Sequence, residues 1–157
     1  MSEPNLYFAY TALLAPELIC SVAPGARFMF SAHFPGTRLC FVANGVGAVP
    51  SLEEDAEHTV WGGVFALSDA DMDAITSTEK KEGREPGWSM RAIDREGNKH
   101  DCVTFVASNP TPNGATRESR PNAAYVDQII RGARHWNLPA GWVVGLEDLL
   151  DEDHILG

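Results

Sequence analysis

The sequence predicts a single α+β domain over residues 1–157, a small mixed β-barrel or curved sheet with flanking helices. Strand-like runs of aromatic and β-branched residues fill most of the first two thirds of the chain. One short helical pattern interrupts these runs, and a longer amphipathic pattern follows near residue 125. Strands and helices do not alternate as β–α–β units and no internal repeat is present, so the pattern indicates helices packed against strands.

Strands are predicted where apolar runs are bounded by turn residues. The predicted strands in the first half are NLYFAY (5–10), RFMFSAHF (27–34), TRLCFVANG (37–45) and HTVWGGVFAL (58–67). Residues 45–55, rich in Gly, Pro and acidic side chains, are predicted to form a loop. The Gly62–Gly63 pair inside a strand indicates a bulge or a close approach of another backbone.

A helix is predicted to begin after Ser68, whose hydroxyl is a suitable N-cap, and to end at Gly83. Met72 and Ile75 give it an apolar spacing of three. Seven residues further along the same face, Met72 leads to Glu79 and Ile75 leads to Glu82. The pattern therefore places a carboxylate on the inner face of the helix.

A hairpin and a second helix are predicted in the last third. Strands over 88–93 and 101–107 flank a turn at 94–98, and a long Pro-containing loop follows. AAYVDQIIRGARHW (123–136) has the spacing of an amphipathic helix. WVVGLEDLL (142–150) is too short to assign, and the acidic tail from about residue 146 is predicted to be a solvated surface.

Composition excludes several kinds of partner. The net charge is −10 and no basic stripe is present, so nucleic acid is not an expected partner. No apolar run approaches the about 20 residues of a membrane helix, so no membrane association is expected, and a cytoplasmic location is predicted. The three scattered cysteines and five histidines lack metal-ligand spacing.

Five short motifs occur in an order that resembles the γ-glutamylcyclotransferase family. They are YFAY (7–10), VWGGVFAL (60–67), a Glu closing the next helix, Trp88 opening a strand-turn-strand with REGN (95–98), and PNAAYVDQIIRGARHWNLP (121–139). The resemblance covers about Leu6–Pro139, except the middle of the Arg27–Glu57 region, where there is little specific match. It implies a small β-barrel with flanking helices and a cavity at one mouth.

The resemblance also implies an activity. Family members cyclise a γ-glutamyl group by attack of its α-amine on its own γ-carbonyl, which yields 5-oxoproline and releases an amine or amino acid. The expected partner is therefore a small-molecule substrate, with no cofactor. The oligomeric state, monomer or homodimer, stays open.

In the family, the acid/base is the Glu that closes the helix after the VWG strand. Helical spacing from Met72 and Ile75 favours Glu79, whereas counting back from the loop before Trp88 favours Glu82, which keeps the Glu-Gly pair usual in the family. Glu79 is the preferred candidate and Glu82 the alternative. A single carboxylate can serve as base and then as acid if its surroundings raise its pKa.

The resemblance assigns substrate contacts to Tyr125 and to the loop after the first strand. Where the family has Y-G-S-N-L, this chain has Tyr10 followed by Thr11, Ala12 and Leu13. The glycine, the serine hydroxyl and the asparagine amide are replaced, so a less polar or altered substrate is expected. Trp88 stands where the family usually has Tyr, which exchanges a hydroxyl for an indole N–H.

Three functions follow from these residues. The first is a γ-glutamyl cyclotransferase acting on γ-glutamyl amino acids or amines. The second is an enzyme of the same fold adapted to another, less polar substrate through cyclisation, elimination or amide cleavage. The third is a catalytically silent binding protein that keeps the fold.

Overall fold

The computed structural model describes residues 5–43, 48–87, 90–107 and 123–156, and these form an α+β fold as predicted. Within these ranges the strands are β1 (Asn5–Ala9), β2 (Arg27–Ala43), β3 (Ala48–Leu67), β4 (Arg84–Pro86), β5 (Met90–Asp94), β6 (Lys99–Cys102) and β7 (Phe105–Ala107). The helices are α1 (Pro16–Val22), α2 (Asp69–Lys81), α3 (Ala123–His135) and α4 (Ala140–Leu156). A short 3-10 turn spans Ala12–Leu14.

The main sheet has five strands in the order β1-β3-β2-β5-β6, with antiparallel ladders. The predicted barrel is wrong, because the sheet is open. β1 meets the chain beyond β6 through one isolated parallel bridge, in which Phe8 N donates to Val103 O at 2.9 Å and Val103 N donates to Leu6 O at 2.9 Å. After Val103 the chain leaves β1. Its next strand, β7, pairs with β4 in a separate two-stranded sheet.

β2 and β3 form one long hairpin where three shorter strands and a loop were predicted. Their register runs from Arg27 opposite Ala66 to Ala43 opposite Ala48, with irregularities between Phe28 and Phe30 and between Pro35 and Thr37. The loop prediction is wrong over residues 48–55, which lie in β3. Residues 49–52 are buried in succession, and the acidic residues that follow are partly or fully exposed, so the acidic composition concealed a strand.

The predicted hairpin after residue 88 is partly confirmed. β5 and β6 pair around the turn at 94–98, where Asp94 Oδ1 accepts from the backbone N–H groups of Glu96 and Asn98, both at 2.9 Å. The predicted second strand, 101–107, is divided, since its last residues belong to β7. Trp88 lies outside the described residues.

Helices α2 and α3 agree with the sequence, whereas α1 and α4 were not predicted. α1 is short and buries only Ile19, so it carries little periodic signal. α4 begins after Pro139 and packs on α3, burying Val143 and Leu146. None of the helices among the described residues has both the length and the apolar composition needed to cross a membrane.

Two glycines allow close backbone approaches that hold these elements together. A Cβ on Gly62 would lie 2.4 Å from the Ala9 carbonyl oxygen, so of the two predicted alternatives Gly62 marks a close approach of another backbone. A Cβ on Gly132 of α3 would lie 2.3 Å from the backbone carbonyl carbon of Leu14. The 3-10 turn is therefore pressed directly against α3.

Candidate active site

Helix α2 places two carboxylates at its C-terminal end. The Ser68 hydroxyl accepts from Asp71 N at 3.1 Å and caps the start of the helix as predicted. Ile75 and Glu79, one turn apart, are both buried, so the face predicted to point inward does so. The helix ends at Lys81; Glu82 is its C-cap, and Gly83 follows with φ 88°, a left-handed conformation that suits glycine.

Arg84, the first residue of β4, joins the two carboxylates. Its Nη2 donates to Oε1 of Glu79 at 2.9 Å and to Oε1 of Glu82 at 2.6 Å. Its Nη1 donates to the carbonyl oxygen of Pro50 in β3 at 3.2 Å. The arginine side chain is only 1% exposed, so the guanidinium forms a buried link between α2, β3 and β4.

Glu79 lies deep in this cluster, with a side chain 1% exposed. Burial raises its pKa above the usual range, while the charge and hydrogen bond of Arg84 oppose that rise. The Tyr7 hydroxyl is near enough to lower the pKa of Glu79. Within the described part of the chain, however, neither this hydroxyl nor Oε2 of Glu79 has a partner in hydrogen-bond geometry.

Glu82 lies at the more open side of the cluster, with a side chain 34% exposed. Its Oε1 accepts from the Tyr125 hydroxyl at 2.8 Å in addition to Arg84 Nη2. Burial raises the pKa of Tyr125 well above its usual range, so its phenol stays protonated and acts as a donor at neutral pH. The structure thus brings Tyr125 of α3 into contact with Glu82, the alternative candidate.

Tyr10 lies in the same cluster, deeply buried. Its hydroxyl donates to the Phe105 carbonyl oxygen at 2.5 Å. Burial raises its pKa well above the usual value, and the charges of Arg84 and Glu79 also act on it, so these groups are close neighbours. Tyr10 therefore joins β1 to β7 beside the carboxylates.

The turn after Tyr10 is closed and apolar. Thr11 Oγ1 accepts from Leu13 N at 3.4 Å and caps the turn, while Leu14 N donates to Thr11 O at 3.0 Å. The side chains of Thr11, Ala12 and Leu13 are buried, and Leu13 belongs to the main apolar core. The turn packs against α3 and α1.

Comparison with known proteins gives structural matches only. No family model matches the sequence, and no curated protein matches it either. A solved structure described as a gamma-glutamyl cyclotransferase superposes with a TM-score of 0.79 at 22% identity, over 92% of this chain and 87% of that chain. The chain has the γ-glutamylcyclotransferase-like fold. The resemblance predicted from the motifs is thereby confirmed at the level of fold.

Two further structures share this γ-glutamylcyclotransferase-like fold. The uncharacterized protein loc79017 from Homo sapiens has a TM-score of 0.78 at 22% identity, over 93% of this chain and 88% of that chain. YkqA from Bacillus subtilis has a TM-score of 0.77 at 19% identity, over 96% of this chain and 55% of that chain. This chain therefore spans about half the length of YkqA.

Sequence reasoning missed Arg84. A lone arginine between Gly83 and an acidic residue is usually a solvated surface residue, and nothing in its spacing indicated burial. The only available signal was indirect: two glutamates predicted on one inner helix face need a cation nearby. The cluster of Tyr10, Glu79, Glu82, Arg84 and Tyr125 is the candidate active site.

Proposed function

We propose that this protein is a γ-glutamylcyclotransferase-type enzyme. The substrate's α-amine attacks its own γ-carbonyl, a C–N bond forms to close the five-membered ring, and the γ-amide C–N bond breaks. The products are 5-oxoproline and a free amine or amino acid. The observation that carries the proposal is the contact between Glu82 and Tyr125 beside buried Glu79 and Arg84, on a γ-glutamylcyclotransferase-like fold.

The chemistry suits a small site without a cofactor. Nucleophile and electrophile belong to one molecule, so the protein mainly has to hold the ring-closing conformation. One proton must leave the α-ammonium and another must reach the departing nitrogen. A carboxylate that takes the first proton and returns it can carry out both transfers.

The two candidate carboxylates differ most in access. A general acid/base must come within hydrogen-bond reach of the reacting nitrogen atoms. Glu79 is 1% exposed and hydrogen-bonded to Arg84, whereas Glu82 is 34% exposed and held by Tyr125 and Arg84. These observations favour Glu82 as the acid/base, with Glu79 as the buried counter-ion of Arg84. Tyr125 would then donate to the carboxylate that moves the protons.

The test compares three glutamate-to-glutamine variants with γ-glutamyl amino acids, γ-glutamylamines and glutathione as substrates, measuring 5-oxoproline. Glu82→Gln should lower kcat by about 10²- to 10⁴-fold, the range typical of a lost general acid/base. Glu79→Gln should lower it less, because a glutamine oxygen still accepts from Arg84. Glu85, the exposed neighbour of Arg84, is the matched control, and Glu85→Gln should behave as wild type.

The same series contains the outcomes that would contradict the assignment. A fully active Glu82→Gln enzyme beside an inactive Glu79→Gln enzyme would return the role to Glu79. Wild-type protein that forms no 5-oxoproline from any of these substrates would contradict the proposed reaction.

The apolar turn favours a second candidate, an enzyme of the same fold with a less polar substrate. Thr11 supplies the only polar side chain of the segment 11–14, and its hydroxyl is occupied in capping the turn. Hydrophobic γ-glutamylamines should therefore react with a higher kcat/KM than glutathione. Equal or better turnover of glutathione would contradict this preference.

A further inference from the structure

The buried guanidinium of Arg84 is shared by two carboxylates. One nitrogen, Nη2, contacts Oε1 of Glu79 and Oε1 of Glu82, and Nη1 contacts the Pro50 carbonyl oxygen. Arginine suits such a position because its planar fork of donors serves several acceptors at once, which a lysine ammonium does not do in the same geometry.

The position of the carboxylates makes this link necessary. Both lie at the C-terminal end of α2, where backbone carbonyl groups give a partial negative charge that disfavours anions. Glu82 is partly exposed, so without a cation its side chain would gain by turning towards solvent. The short 2.6 Å hydrogen bond from Arg84 opposes that movement, because charge-assisted bonds are the strong ones.

Glu79 has a different relation to Arg84. A buried arginine needs a counter-ion, since an unpaired buried charge is strongly destabilising. Glu79 is as buried as Arg84 and contacts the same nitrogen, so it balances the guanidinium on the interior side. On the more open side, the same nitrogen donates to Glu82 Oε1, which also accepts from the Tyr125 hydroxyl.

We propose that Arg84 is a positioning residue, which holds the Glu82 carboxylate against the Tyr125 hydroxyl, and that Glu79 contributes only by fixing Arg84. This inference rests on the proposed function, in which Glu82 moves the protons. It adds to that function a residue outside the motifs that carried the sequence resemblance.

The experiment must separate positioning from folding, because Arg84→Met alone would leave Glu79 buried and unpaired. The double variant Glu79→Met/Arg84→Met removes both charges and replaces them by apolar chains of similar length. Replacing a buried ion pair in this way is often neutral for stability. The double variant should therefore unfold in urea close to wild type.

The double variant should be as stable as wild type but should not be as active. A displacement of about 1 Å at a reacting group can cost about 100-fold, so the double variant should lose about 100-fold in kcat or more with little change in KM. Arg84→Lys keeps a charge without the fork and should lose about tenfold, an intermediate effect. Glu85→Gln again serves as the control and should match wild type.

A crystal structure of the double variant gives a readout that does not depend on turnover. The Glu82 carboxylate should have left Tyr125, whereas wild type keeps Oε1 within 2.8 Å of the hydroxyl. A stable double variant with near-wild-type kcat, or with Glu82 still bound to Tyr125, would overturn the positioning role. If wild type forms no 5-oxoproline, the proposed reaction fails, and the crystal structure alone then decides the role of Arg84.

Discussion

Tyr7 and Tyr10 are equally buried and three residues apart, but their hydroxyl groups have different surroundings. Tyr10 donates to the Phe105 carbonyl oxygen, whereas the Tyr7 hydroxyl has no partner in hydrogen-bond geometry among the described residues. Burial raises the pKa of both, so both stay neutral at physiological pH. Comparing the two residues therefore separates the effect on stability of burying a hydroxyl from the effect of its hydrogen bond.

This difference predicts opposite outcomes for two conservative changes. Tyr10→Phe should lower the free energy of unfolding by about 1–2 kcal/mol, because it leaves the buried Phe105 carbonyl without its donor. Tyr7→Phe should change it by less than about 1 kcal/mol or raise it, because an unsatisfied buried hydroxyl is costly. Urea denaturation at pH 7 measures both. Equal losses in the two variants would show that the Tyr7 hydroxyl has a partner in solution.

The sequence identified some of the individual residues of the candidate active site. Helical spacing identified Glu79 and Glu82, and the resemblance identified Tyr10 and Tyr125, which lie together in the structure. Helical spacing favoured Glu79 and the count back from the loop favoured Glu82, but the sequence could not show that Glu79 is fully buried and Glu82 partly exposed. Arg84 was missed because burial of an arginine depends on partners distant in sequence, such as Pro50.

Helix α3 packs very closely against the 3-10 turn at Gly132. Of the glycines in the described helices, this one makes the closest contact. The Gly132 backbone faces Leu14, and Trp136 Nε1 donates to the Leu14 carbonyl oxygen at 2.8 Å. This contact holds the segment after β1 against the helix that carries Tyr125. It therefore links the altered loop to the candidate site.

The contact predicts a contrast between two helical glycines. Gly132→Ala should lower the free energy of unfolding by about 1–3 kcal/mol or more, because its Cβ would overlap the backbone of Leu14. Gly145→Ala in α4 should raise it by about 0.5–1 kcal/mol, because that Cβ would have no atom of the described residues within 4 Å and alanine favours helix. Thermal unfolding of both variants tests the contrast. A stabilised Gly132→Ala protein would contradict the packing described.

Predictability of the elements followed the strength of their local signals. α2 has an N-cap and a terminating glycine, and α3 has a clear apolar face, so both were predicted. β3 was shortened in the prediction because its first part is acidic, although Val49 and Leu52 are buried there. The partners of β7 and the bridge at Val103 depend on tertiary pairing, so no local pattern distinguished an open sheet from a barrel.

For the whole molecule, Glu79 contributes a pH dependence whose sign is set by burial. Its folded pKa is raised, while an unfolded glutamate titrates at about 4.3. As pH rises above that value, the unfolded chain releases the proton first, so the free energy of unfolding falls until the folded pKa is passed. Glu79 therefore stabilises the fold most below the unfolded pKa.

Urea denaturation across this pH range gives the free energies of unfolding of wild type and of Glu79→Gln. The quantity to compare is the wild-type value minus the value of the variant. Subtraction cancels the other carboxyl groups, including Asp94, whose pKa is lowered to about 2 by hydrogen bonds from His100 and the backbone of Asn98. The difference should fall as pH rises from about 4 towards 7. A difference that rises instead would mean that Arg84 outweighs burial.

The most direct test of the proposed reaction follows one nitrogen atom. The protein is incubated with a γ-glutamylamine whose glutamyl part is labelled with ¹³C and ¹⁵N, and the product is observed by NMR. If the proposed reaction is correct, wild type and Glu85→Gln form 5-oxoproline in which the labelled α-nitrogen is bonded to the former γ-carbonyl carbon, and Glu82→Gln hardly forms it. Labelled glutamate, or unchanged substrate with wild type, would contradict it.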